Sequence, residues 1–127
     1  MWRILLLVGS GGFLGTITRY LCGEVFKKII VHAFPFATLF VNIMGCLIIG
    51  IIFGLMEKGK LLDNDLRLFL TTGFCGGFTT FSAFSIENII MLRNGEFSYV
   101  FAYLAASILL GFTATYLGML SVNWFKI

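Results

Sequence analysis

Charge is what this sequence has least of. Of its 127 residues only 12% are Asp, Glu, Lys or Arg, about half the share usual in a soluble domain. Histidine and proline occur once each, as His32 and Pro35. These shortages exclude much chemistry. A hydrolase places a base beside its nucleophile, but His32 stands alone between apolar runs and no carboxylate lies centrally in one. No enzyme is expected. Cys22, Cys46 and Cys75 are odd in number and far apart, which fits neither a disulfide framework nor metal-ligand spacing. They are expected to pack as small hydrophobes. The basic residues form no cluster, so nucleic acid is not an expected partner.

Apolar surface is what the chain has in surplus. Hydrophobic residues make up 59% of it, and the mean hydropathy is +1.00. So much apolar surface has no water to face, and a membrane is its expected surrounding. Uncharged runs extend from Ile4 to Thr18, Ala33 to Met56, Leu68 to Ile86 and Phe97 to Phe125. Arg19 interrupts the first, beyond which Tyr20, Leu21 and Cys22 resume its apolar character. At about 1.5 Å of rise per residue, each can cross a hydrocarbon core about 30 Å thick. The expected fold is an all-α membrane protein of four transmembrane helices, one domain over residues 1–127. Met1-Trp2-Arg3 followed by Ile4 to Val8 also has the charge and apolar core of a signal peptide. No convincing small-x-small cleavage site follows, and a retained first span is preferred.

Four crossings put the N-terminus, the middle loop and the C-terminus on one side of the membrane. That side holds Arg3, Lys58, Lys60, Arg67 and Lys126; the other holds Lys27, Lys28 and Arg93, with Arg19 if it reaches that interface. Five against three or four is little bias. Because such bias orients membrane proteins, dual topology is expected, and with it an antiparallel homodimer.

The spans differ in what interrupts them. The first carries Gly9, Gly11, Gly12 and Gly15, small residues that let membrane helices approach closely. Arg19 near its end either snorkels to the headgroups or serves a vestibule, drawing anions or tying down a helix end. In the second span Asn42 is the strongly polar side chain, and its two N–H donors suit either an interhelical bond or a pore wall. Asp63 or Asn64 can cap the third span. In the fourth, Tyr103, Ser107, Gly111 and Thr115 recur every four positions as one stripe, with Thr113 and Tyr116 beside it. Hydroxyls bonded back to their own helix are the plainer reading of such a stripe; together with the hydroxyls of the third span, a polar track is the preferred one.

The third span is the least like a simple anchor. Gly73, Gly76 and Gly77 precede Thr79, Thr80 and Ser82. A glycine-rich break over Gly73 to Gly77 is expected to free backbone N–H and C=O groups. Irregular backbone at membrane depth is tolerated where it is buried in protein or lines a wet cavity. Phe78, Phe81 and Phe84 recur every three positions, and aromatic ring edges are weakly electropositive. The stretch reads as a pathway for an ion. The alternative is a small four-span proton-coupled drug or cation exporter. Proton coupling usually places an ionisable group inside a span, and Glu87, at a span's edge, is the acidic candidate. Such exporters rely on a first-span glutamate where this chain has Arg19.

Three segments carry a resemblance: GGFLGTITRY at the start, TLFVNIMGCLIIG with Asn42 and Gly45, and TTGFCGGFTTFSAFS. Together they resemble the Fluc (CrcB) fluoride channel family, at consistent spacing over all four spans. The resemblance implies a dual-topology antiparallel homodimer that exports fluoride passively through two pores across the plasma (inner) membrane and so relieves fluoride toxicity. It implies that Phe81 and Phe84 contact fluoride, that Asn42 reaches the pore, and that Tyr103 and Ser107 begin a polar track. Gly111 stands where some members have another serine, so Thr113 or Thr115 would complete the track. A structural sodium ion is implied at the dimer centre, held by the backbone carbonyls of Gly76 and Thr79 of both subunits. Arg19 follows the first-span glycine motif.

Overall fold

Helices account for nearly all of the chain, in an order that departs from four even spans. The structure is a computed structural model that describes residues 1–60 and 63–124; Lys126 of the charge tally lies outside them. α1 (Trp2–Ile29), α2 (Phe36–Glu57) and α6 (Phe97–Trp124) are each long and apolar enough to cross a membrane. The segment expected as the third span is divided into α3 (Asn64–Leu68), a π-helical stretch (Phe69–Cys75), α4 (Gly76–Phe78) and α5 (Phe81–Arg93). The chain is membrane-embedded, and its apolar side chains face outward: Leu6, Phe101 and Phe112 are among the most exposed.

Local sequence sets the element ends. Asp63 Oδ1 accepts the Leu66 N–H at 2.8 Å and caps α3, so of the two candidates Asp63 is the cap. α2 and α5 both end on a left-handed glycine, Gly59 (φ 65) and Gly95 (φ 75), a conformation glycine adopts without a Cβ penalty. After α5, Gly95 N–H bonds Leu92 O at 3.1 Å and Glu96 N–H bonds Met91 O at 2.9 Å, which satisfies carbonyls the helix end would orphan. Arg3 pairs with Asp65, and Lys58 Nζ donates to Val122 O at 2.8 Å. The N-terminus, the α2–α3 connection and the end of α6 thus share one side.

Glycine builds both principal helix contacts. α1 packs on the π-helical stretch and α4, and α2 packs on α6. A Cβ at Gly73 would stand 2.9 Å from Val8 O, and one at Gly77 would stand 3.0 Å from the Gly12 Cα. Across the other contact, a Cβ at Gly54 would stand 2.8 Å from Met119 O and one at Gly118 would stand 2.9 Å from Ile51 N. This corrects the expectation of a break over Gly73 to Gly77. The backbone stays helical through those glycines, and Gly73 and Gly77 are held against α1 by contacts that only the absence of a side chain permits. Cys75 is 5% exposed and packs as a hydrophobe, and all three cysteines are free.

Candidate ion pathway

Two residues after the last of these glycines, the backbone leaves the helix. Thr79 (φ −83, ψ 160) and Thr80 (φ −152, ψ 115) are extended between α4 and α5. The β-branched Thr pair suits extended backbone, and Thr80 also starts the next helix: its Oγ1 accepts the Ala83 N–H at 3.2 Å, a preferred N-cap arrangement. Asn42 of α2 completes the junction. Its Oδ1 accepts the Thr80 N–H at 2.8 Å, and its Nδ2 donates to Thr80 O at 3.1 Å. From α1, Arg19 Nη1 donates to Thr79 O at 3.2 Å. A Cβ at Gly45 would overlap the Thr79 methyl, so α2 can hold Asn42 this close only with glycine one turn on.

A cavity of about 630 Å³ opens beside this junction, with Arg19, Thr38, Thr80 and Ser82 in its walls. α5 begins there, and a helix N-terminus favours negative charge through its dipole. A smaller cleft of about 230 Å³ on another side of the junction is lined by Asn42, Cys46, Thr79, Thr80 and Phe81. Ring contacts then run inward: Phe81 to Phe84 at 5.6 Å and Phe84 to Tyr103 at 4.9 Å between centroids. Phe81 is 79% exposed, whereas Tyr103 is fully buried. One turn beyond Tyr103, Ser107 Oγ is buried with no hydrogen-bond partner among the described residues.

Asn42 and Phe81 thus share the cleft and Phe84 and Tyr103 follow from Phe81 by ring contact, with Ser107 one turn beyond Tyr103 on α6. Thr113 and Thr115 do not extend this series. Their hydroxyls donate to Leu109 O at 2.6 Å and Gly111 O at 3.1 Å on their own helix. Thr38 and Glu87, two residues that the sequence reading did not group with the expected pathway residues, join them through Tyr103. Glu87 accepts Thr38 Oγ1–H on Oε1 and Tyr103 OH on Oε2, both at 2.6 Å, so three helices meet on one carboxylate. A signal for Thr38 was present, since it precedes Asn42 by four residues and shares its helix face. Glu87 carried no comparable signal, because its partners lie 49 and 16 residues away.

Comparison with known proteins decides the family. The family described as CrcB-like protein, Camphor Resistance (CrcB), matches residues 6–119. The chain belongs to the CrcB family. A Chlorobium chlorochromatii relative of this CrcB chain is 49% identical over 120 residues, covering 94% of the chain and 92% of the relative. A Flavobacterium psychrophilum relative is 43% identical over 118 residues, covering 93% and 95%. One from Azobacteroides pseudotrichonymphae genomovar. CFP2 is 38% identical over 125 residues, covering 98% and 100%. Each relative is named fluoride-specific ion channel FluC. These matches favour the channel over the proton-coupled exporter.

The carbonyls expected to hold sodium in a CrcB protein can be tested on geometry. Among the described residues no three His, Cys, Asp or Glu side chains gather to hold a metal ion, and the expected ligands are backbone oxygens. Thr80 N–H is turned to Asn42 Oδ1, so Gly76 O is released from its i+4 amide. Gly76 is also exposed on the surface of the chain. Among the described residues Thr79 O accepts from Arg19, and a carbonyl oxygen has a second lone pair. Neutral carbonyl oxygens are suitable ligands for a hard cation, and these two residues fit one.

Proposed function

We propose that this protein is a fluoride-selective ion channel, through which fluoride leaves the cell passively across the plasma membrane and its toxicity is relieved. The observation that carries the reading is near full-length similarity to relatives named fluoride-specific ion channels, at 38% to 49% identity. The pathway's chemistry supports it. A small anion must exchange its water for donors at each step, since burying an unpaired ion is very unfavourable. Arg19, Thr80 and Ser82 give the large cavity positive charge and hydroxyls, and the α5 N-terminus adds its dipole. Asn42 retains one Nδ2 hydrogen beyond its bond to Thr80. Phe81 and Phe84 present ring edges that hold an anion weakly enough to release it. Ser107 offers a hydroxyl not committed elsewhere among the described residues.

The assembly belongs to the same proposal. An antiparallel homodimer follows from the small charge bias and places the exposed apolar faces against lipid and a second copy. At its centre, the Gly76 and Thr79 carbonyls of both subunits would hold a sodium ion, which supplies a fixed positive charge and a cross-link between the two helix junctions.

The test is ion flux from liposomes loaded with fluoride or chloride and containing the purified full-length protein. Fluoride efflux with chloride efflux near background is expected. Equal chloride flux would sink the reading.

A further inference from the structure

Arg19 carries a charge that nothing nearby cancels. It lies partly buried on α1, and the ion pairs among the described residues are Arg3–Asp65 and Lys27–Glu24, neither of which includes it. Its one hydrogen bond runs from Nη1 to Thr79 O at 3.2 Å. The same oxygen has a second lone pair, and Gly76 O, three residues away, has been released from its helical partner because Thr80 N–H turns to Asn42. Backbone carbonyls of this kind are ligands that Ca²⁺ takes readily. Left to themselves, they attract a divalent ion more strongly than a monovalent one.

We propose that Arg19 sets the charge selectivity of the cation site at the Thr79 carbonyl, admitting a monovalent ion and rejecting divalent ones. The inference rests on reading the Gly76 and Thr79 carbonyls as the sodium ligands. A cation on Thr79 O sits close to the guanidinium bonded to that oxygen, in a partly buried setting where screening is weak. Repulsion is proportional to the ion's charge. Whatever factor Arg19 removes from Na⁺ affinity, it removes squared from Ca²⁺ affinity. In a two-fold dimer each Thr79 brings its own Arg19, so the site faces two such charges. Arg19 is thus a specificity-determining residue, distinct from the asparagine that shapes the junction.

Equilibrium dialysis of the purified full-length protein against radiolabelled Na⁺ and Ca²⁺ tests this. Arg19→Gln keeps a donor and removes the charge; Arg19→Lys keeps the charge. R19Q should gain roughly tenfold in Na⁺ affinity and on the order of a hundredfold in Ca²⁺ affinity, while R19K keeps the wild-type ratio. A role confined to holding the backbone would move both ions alike, so an unchanged Ca²⁺/Na⁺ ratio in R19Q with sodium bound by the wild type overturns the inference alone. Uptake of neither ion by wild type or R19Q overturns the carbonyl site and the inference together. Arg19→Met gives the same comparison if R19Q does not fold.

Discussion

Asn42 and Thr80 are bonded twice, Thr80 N–H to Asn42 Oδ1 at 2.8 Å and Asn42 Nδ2 to Thr80 O at 3.1 Å. One amide side chain therefore takes both backbone groups of a residue that has left its helix. At membrane depth these groups have no water to turn to. The side chain that the sequence offers as either a pore donor or an interhelical bond is the interhelical bond first, with one hydrogen remaining for an ion.

Asn42→Ala leaves the Thr80 N–H unpaired, while Thr80 O keeps the first helical bond of α5. About 1–3 kcal/mol of destabilisation is expected for the orphaned group, read as a lower unfolding midpoint, together with loss of fluoride flux. Asn42→Asp keeps the acceptor, loses the donor and adds negative charge, so it should fold and still conduct fluoride poorly. Wild-type flux in Asn42→Asp would remove Asn42 from the ion's route.

Phe81 and Phe84 should separate function from stability. Phe81 is 79% exposed, so Phe81→Ile is expected to impair fluoride flux while the unfolding midpoint stays within about 0.5 kcal/mol of wild type. Phe84 packs 4.9 Å from the buried Tyr103 ring, and Phe84→Ala should lower stability by about 3 kcal/mol as well as flux. Thermal unfolding beside liposome efflux distinguishes the two patterns.

Close packing predicts a sharp contrast among glycines. A Cβ at Gly73 meets Val8 O and the Gly11 backbone, whereas Gly9 and Gly23 have nothing within 4 Å. Gly73→Ala should destabilise by about 1–3 kcal/mol. Gly9→Ala and Gly23→Ala should be neutral or slightly stabilising, since alanine favours the helix. Equal midpoints for all three variants would show that α1 does not depend on this contact.

Thr38 and Tyr103 should behave as a coupled pair. Each donates to one oxygen of Glu87 at 2.6 Å, so the two hydrogen bonds share one acceptor group. In a double-mutant cycle, Thr38→Val and Tyr103→Phe are expected to deviate from additivity by at least about 0.5 kcal/mol. Agreement within about 0.3 kcal/mol would mean that Glu87 does not join them.

Much of the architecture was legible because membrane burial writes itself into composition. Runs without charge marked α1, α2 and α6. The third span was legible as irregular, yet the expected glycine break over Gly73 to Gly77 stops short of the extended Thr79 and Thr80. Glycine has two uses in a membrane helix, release of the backbone and close approach between helices, and a sequence alone does not say which. Only the positions of Gly11 and Gly12 opposite Gly73 and Gly77, and of Gly15 against the Phe74 and Phe78 backbone, decide for close approach. That leaves the extended backbone to Thr79 and Thr80, where a capping hydroxyl and a partner asparagine can satisfy it.

The sequence by itself determined that this chain lives in a membrane, where its spans run, and which family its motifs resemble. Those properties depend on hydrophobicity, charge and local pattern, which are readable along one dimension. Tertiary structure alone decided that Asn42 closes onto Thr80, that Arg19 reaches the Thr79 carbonyl, and that Thr38 and Tyr103 converge on Glu87. Each of these contacts joins residues 16 to 60 positions apart. Buried polar groups must find partners wherever the packing of helices presents them, and no local pattern records that choice.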